Sequence, residues 1–124
     1  MKKSELEDRL IRFSVSIIEM TKGLEDAFES QHLSKQIIRS GTATALLYGE
    51  AQGAPTKKDF IHKISLVLRE LRETHINLRI INQKHLFKNQ DVMNEILDEN
   101  NQLISIFTKT YQTSVQNEGM ERLK

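Results

Sequence analysis

The chain has 124 residues, enough for one domain with its own core and too few for two ordinary domains. It contains no cysteine, which excludes disulfides, thiolate metal sites and cysteine nucleophiles. The formal net charge of +1 does not by itself indicate a partner. The first eight residues are mostly charged, and no apolar run approaches the roughly 20 residues of a membrane helix. We therefore expect a cytoplasmic protein with no signal segment and no membrane partner.

Four helices are predicted, because apolar residues recur every three or four positions and one proline and five glycines leave little turn signal. The first predicted helix ends in the middle twenties, before a polar run from 25 to 31, and its apolar stripe is Leu6, Leu10, Phe13, Ile17, Met20. The second stops near Pro55, and its stripe is Leu33, Ile37, Gly41, Thr44, Tyr48, Ala51.

The third predicted helix has the clearest start signal. Thr56 followed by Asp59 resembles a capping box, with the acidic group at the positive end of the helix dipole. Its stripe, which ends near residues 82–84, is Phe60, Ile64, Val67, Leu71, Leu78, Ile81. The fourth helix is predicted from about residue 90 to residue 111 or beyond, with Asn100 on a seam of Met93, Leu97, Ile104, Phe107, Tyr111.

Four amphipathic helices joined by short connections predict an all-α fold, an antiparallel up-down four-helix bundle. We assign residues 1–115 to this single domain. The segment 116–124 has little apolar content and is predicted to fray.

The charge is unevenly distributed along the chain. Residues 31–88 hold ten Lys or Arg against four Asp or Glu, a balance of +6, whereas residues 1–30 and 89–124 have balances of −2 and −3. This middle segment is either a cationic surface for RNA, DNA or an acidic protein, or a solvated face that complements acidic outer helices.

Small residues form a run in the second helix, from Ser40 to Ala45 with Gly41 among them. Glycine costs about 1 kcal/mol relative to alanine inside a helix, so it usually marks a close backbone approach. The approaching helix belongs either to the same chain or to a second subunit.

Several connected motifs carry a resemblance to a known family. They are Ile38-Arg39-Ser40-Gly41-Thr42, Glu50-Ala51-Gln52, the segment Lys57 to Lys63, and the segment Leu68 to Thr74. The series closely resembles the bacterial four-helix bundle family named after proteins encoded in intervening sequences of 23S ribosomal RNA genes, also called the S23 ribosomal protein family. The chain departs from the family pattern at Leu47, where relatives often have asparagine, and at Ile76-Asn77, where they often have Tyr-Trp.

The resemblance implies a ring-shaped homopentamer without an established catalytic activity. A related branch acts as an accessory protein to reverse transcriptases of diversity-generating retroelements, with a basic surface for nucleic acid. On this basis the predicted oligomer interface comprises Arg39, Gly41, Glu50, Lys63, Glu70, Glu73. The predicted nucleic-acid-binding residues are Arg39, Lys57, Lys58, Lys63, Arg69, Arg72, Arg79.

The charges at the predicted interface also have a simple physical interpretation. Glu70 and Glu73 are three residues apart on one helix and repel each other unless cations pair with them. Arg39 or Lys63, from the same chain or a neighbour, would supply those cations.

Motifs of two enzyme classes occur in the sequence, but both are less specific than the family motifs. Small helical ribonucleases place a histidine four to six residues after an arginine, and both Arg69–His75 and Arg79–His85 satisfy that spacing. Di-iron bundles need two Glu-x-x-His motifs, but only Glu29 to His32 fits, in a predicted loop. We therefore predict no catalytic, cofactor or metal residues, and a non-enzymatic self-assembling bundle whose main alternative is a protein-binding scaffold.

Overall fold

A computed structural model, which describes residues 1–123, contains four α-helices and confirms the all-α prediction. The helices are α1 (Lys3–Lys22), α2 (Phe28–Gln52), α3 (Lys57–Gln83) and α4 (Gln90–Leu123). They are joined by the short segments 23–27, 53–56 and 84–89. Consecutive helices pack against each other along the bundle. The helix α4 also packs beside α1, and this is the least extensive of the helix–helix contacts.

The core is formed mainly by the predicted stripes, but on α4 Leu103 is fully buried, whereas Leu97, Ile104 and Tyr111 of the predicted seam are only partly buried. Its fully buried side chains include Leu10, Ile17, Ile37, Ile64, Leu71, Leu78, Ile81, Met93, Leu103, Phe107. Tyr48 and Phe107 meet edge to face, with ring centroids 5.4 Å apart. Each helix thus turns one face inward and leaves its opposite face to solvent.

The predicted start of α3 is confirmed. The Asp59 backbone N–H donates to Thr56 Oγ1 at 3.1 Å, and the Thr56 hydroxyl donates to Asp59 Oδ2 at 2.8 Å. Thr56 is extended and serves as the N-cap, so Pro55 lies just outside the helix.

The start of α2 differs from the prediction. The polar run from 25 to 31 was expected to be a loop, but α2 begins at Phe28 and includes most of it. Its N-cap, Ala27, has no side-chain hydrogen-bonding group, so the sequence contains no capping signal there. The Glu29–His32 pair therefore lies on a helix and not in a loop.

The two connections at one end of the bundle are hydrogen-bonded to each other. The Glu25 N–H donates to the Leu86 carbonyl at 2.8 Å, and Leu24 and Phe87 form an isolated antiparallel bridge. His85, with φ of 57°, turns the chain after α3, and the Leu86 N–H then returns to the Ile81 carbonyl at 3.1 Å.

The helix α4 extends to Leu123, beyond the predicted domain boundary at residue 115. Lys124 lies outside the described residues, and fraying of the segment 116–124 stays a prediction. Within residues 1–123, no helix is long and apolar enough to cross a membrane.

Candidate interaction surface

A cluster of three charged residues joins α2 to α3. Arg39 donates from Nη1 to Glu70 Oε2 at 2.7 Å and also pairs with Glu73. The Glu70 side chain is only 7% exposed because it points toward α2, whereas the Arg39 side chain is 57% exposed. The hydrogen bond that Arg39 donates to Glu70, together with the attraction of both carboxylates, raises the pKa of Arg39 against the opposing effect of burial. The cluster therefore holds a nearly buried carboxylate beneath an exposed cation.

A second ion pair crosses the same helix pair about two to three turns away. Lys63 Nζ lies 3.5 Å from Glu50 Oε2. Five residues assigned from sequence to the oligomer interface thus pair within one chain: Arg39, Glu50, Lys63, Glu70, Glu73. Of the two cations considered from the sequence, Arg39 of the same chain pairs with Glu70 and Glu73, whereas Lys63 pairs with Glu50.

Gly41, the sixth residue of that set, faces α1 and not solvent. A Cβ added at Gly41 would lie 3.1 Å from Cγ2 of Ile17, and the Ser14 hydroxyl reaches the Gly41 carbonyl at 3.2 Å. This corrects the assignment of Gly41 to the contact between subunits, because its missing side chain serves packing inside the chain. Buried polar contacts continue on the α3 side, where the Thr74 hydroxyl lies 2.8 Å from the Ser40 hydroxyl.

An apolar groove of about 520 Å³ lies between the two ion pairs. Its apolar lining comes from Ala43, Leu46 and Leu47 of α2 and Leu66 of α3. Leu46 is 70% exposed, although it lies in the middle of a regular helix. We call this surface the α2–α3 groove.

The outer side of α3 is both basic and apolar. Ile76 and Ile80 are 50% and 47% exposed. Arg69, Arg72 and Arg79 are exposed beside them and form no ion pair with any described residue. We call these five residues the α3 ridge.

The predicted nucleic-acid-binding residues therefore fall into two groups. Arg39 and Lys63 are engaged by carboxylates of the same chain, and Lys57 also has an interaction partner. Lys58 is exposed near the start of α3, whereas Arg69, Arg72 and Arg79 belong to the α3 ridge.

A further groove, not predicted from the sequence, lies between α1 and α4. It has a volume of about 490 Å³, and its apolar lining residues include Phe13, Met20, Phe87, Val92, Ile96. Its charged lining residues are all acidic: Glu19, Glu95 and Glu99. Arg9 links α1 to α4 through two hydrogen bonds that it donates to Glu99, at 2.6 and 2.7 Å. We call this surface the α1–α4 groove.

The arginine–histidine pairs do not assemble a ribonuclease-like site. Six helical residues correspond to about 600° of rotation, so Arg69 and His75 point about 120° apart on α3. His75 is partly buried, and this burial, with the charge of Arg79, lowers its pKa. His85 lies past the end of α3 and is exposed.

A metal site has no support in the described part of the chain. No group of three or more histidine, aspartate or glutamate side chains there is arranged to hold an ion. Glu29 and His32 share a helix, but they have no counterpart motif for a di-iron centre.

These features define a helical bundle with polar cross-links between its middle helices and three outward-facing surfaces that contain apolar residues. Residues 2–109 match the family described as 23S rRNA-intervening sequence protein. The chain belongs to this family. No curated protein shows a significant match to it.

A solved structure supports the same assignment. It is a protein of unknown function from the S23 ribosomal protein family of Bacteroides thetaiotaomicron, 26% identical to this chain. The match covers 90% of this chain and 99% of that one, with a TM-score of 0.81. The family predicted from the motifs in α2 and α3 is thus confirmed, and neither match assigns an enzymatic activity.

Proposed function

We propose that this protein is a non-enzymatic module that self-associates into a homopentamer. The observation that carries the proposal is the exposure of Leu46 in the α2–α3 groove, flanked by ordered ion pairs. The number of subunits comes from the family resemblance of the sequence and not from the geometry of one chain.

The surroundings of Leu46 are suited to a protein contact. Leu47 and Leu66 extend the apolar surface, while the Arg39–Glu70 and Lys63–Glu50 pairs give it polar edges. An apolar centre with a polar rim is the common anatomy of a protein interface. Full burial of a leucine side chain stabilises by roughly 1.5–3 kcal/mol, so each copy would gain appreciably by covering Leu46.

The test is the solution mass of a Leu46→Asp variant, measured by light scattering after size exclusion. Because Leu46 is exposed, the fold should tolerate aspartate, and the expected result is a shift from oligomer to monomer. Val115→Asp is the matched control, since Val115 is also exposed on a helix and should leave the mass unchanged. A wild-type chain that is monomeric, or a Leu46→Asp variant that keeps the wild-type mass, would overturn the proposal.

Nucleic-acid binding is the second candidate function. Its specific support is the set of three ridge arginines without acidic partners among the described residues. Contacts to phosphates release counterions, so binding of a short structured RNA should weaken steeply as salt rises. Arg69→Glu, Arg72→Glu and Arg79→Glu should each reduce RNA affinity, with Lys35→Glu as the control on α2. Retained RNA binding in the ridge variants would exclude this site, and no binding by the wild type would favour the protein-binding scaffold.

A further inference from the structure

The charges of the last two helices are opposite in sign. Within its range, α3 holds six Lys or Arg and three Asp or Glu, a balance of +3, whereas α4 holds two and six, a balance of −4. Both excesses lie on solvent-facing sides: the ridge arginines are exposed on α3, and Asp91, Glu95 and Asp98 are exposed on α4. One copy therefore presents both a basic and an acidic outer surface.

The two surfaces also match in shape and in apolar content. The α3 ridge projects two half-exposed isoleucines between arginines. The α1–α4 groove offers an apolar floor beside Glu95 and beside Glu19, which also pairs with Lys22 at 3.2 Å. Ile76 and Ile80 are four residues apart, about 6 Å along the helix, and Val92 to Glu99 spans about 10 Å of the groove. The isoleucines thus fit within the length of the groove, with arginines left at its acidic edges.

We infer that the α3 ridge of one copy docks into the α1–α4 groove of the next copy. This inference rests on the proposed self-association and names the surfaces that meet. Arg69 of the ridge also lines the α2–α3 groove, so Leu46 borders the ridge and lies at the edge of the same contact. A contact between two α3 ridges would place arginines against arginines, and a contact between two α1–α4 grooves would place carboxylates against carboxylates. The ridge-to-groove contact pairs opposite charges instead. It is a heterologous contact, which generates a closed ring or a filament and not an isolated symmetric dimer.

The two ridge isoleucines favour the groove of a second copy, and not a nucleic acid, as the partner of the ridge arginines. Phosphate binding requires cations alone and gains little from exposed isoleucines in a helix of regular geometry. A protein groove with an apolar floor uses both residue types, because it covers the isoleucines while its carboxylates neutralise the arginines.

The test uses one variant for each surface. Ser16→Trp fills the groove from an exposed position on α1, with Ser4→Trp as the matched control on the same helix but outside the groove lining. Ile76→Asp disrupts the ridge. Each of the two variants should lose assembly alone, while retaining the helical circular dichroism and urea midpoint of a folded chain.

Mixing the two variants gives the decisive result. Ile76→Asp keeps an intact groove and Ser16→Trp keeps an intact ridge, so an equimolar mixture should form a heterodimer through the one undamaged contact. If Ser16→Trp assembles like the wild type, this inference is wrong, while self-association through another surface stands. A monomeric wild type would contradict the proposed function itself. If the wild type is monomeric and binds RNA, and Arg72→Glu abolishes that binding, the ridge is a nucleic-acid surface instead.

Discussion

Replacing Arg39 by methionine should destabilise the fold through the carboxylate left behind. Glu70 is 7% exposed and would lose the cation that now donates to it at 2.7 Å. Leaving a buried acceptor without its partner costs roughly 1–3 kcal/mol, and more for a charged group. The exposure of Arg39 itself moderates this value, because water can enter once the guanidinium is gone. We expect a loss of about 2 kcal/mol in the free energy of unfolding.

Urea denaturation at one fixed protein concentration would measure this loss. With a slope of about 2 kcal/mol per molar urea, the midpoint should fall by about 1 M. Lys35→Met is the control, because Lys35 is exposed one turn earlier on α2 and has no ion pair with a described residue. It should leave the midpoint nearly unchanged.

A double-mutant cycle would separate the pair from other effects of the substitution. Glu70→Gln keeps the volume of the side chain and removes its charge, so Arg39→Met should cost less in that background. A coupling energy of about 1–2 kcal/mol is expected for charged groups in direct contact. An Arg39→Met variant as stable as Lys35→Met, or a coupling near zero, would refute the view that the cluster holds α2 to α3.

Three further outcomes are expected from single substitutions. Gly41→Leu should lower the free energy of unfolding by about 2–3 kcal/mol in urea, because its Cβ would already lie 3.1 Å from Ile17; unchanged stability would place the close approach elsewhere. Asn100→Leu should raise stability by about 1–2 kcal/mol, since the Asn100 Oδ1 is buried with no hydrogen-bond partner among the described residues and only its amide donates, at 3.3 Å, to the Leu71 carbonyl. A marked loss on thermal unfolding would show that Asn100 instead fixes the helix register. Burial and a nearby arginine lower the pKa of His75 from 6.5, so its contribution to stability should be present above pH 6.5 and lost as pH falls through its lower folded pKa. His75→Gln should flatten that part of the stability–pH profile, and an unchanged profile would mean that His75 does not contribute.

The helices and their inward faces could be predicted because they depend on local pattern. The apolar spacing identifies the buried stripes, and Thr56 with Asp59 marks the first turn of α3 through a hydrogen bond that spans three residues. The start of α2 was missed for the corresponding reason, since Ala27 has no side-chain cap and the first turn is held by packing and backbone bonds. Local signals predict an element when its boundary is itself locally stabilised.

The interaction surfaces depend on how the helices align with one another. Local sequence patterns do not determine this alignment. Arg39 and Glu70 were both predicted to be charged partners, but they are 31 positions apart along the chain. Only the alignment of α2 with α3 decides whether they meet in one chain or across subunits. The same alignment assigns Gly41 to the contact with Ile17. The α1–α4 groove was not predicted, because it results from the wider separation of the first and last helices.

The bond between Glu25 and Leu86 makes the two ends of the bundle unequal. At one end, the connection after α1 and the connection after α3 are tied together, so the hairpins α1–α2 and α3–α4 are linked by more than their side chains. At the other end, the exposed Gly53 and Pro55 join these hairpins by a single short crossing. The α2–α3 connection is consequently the place where the protein could be split into two complementary halves, each able to recognise the other through its loop as well as its core.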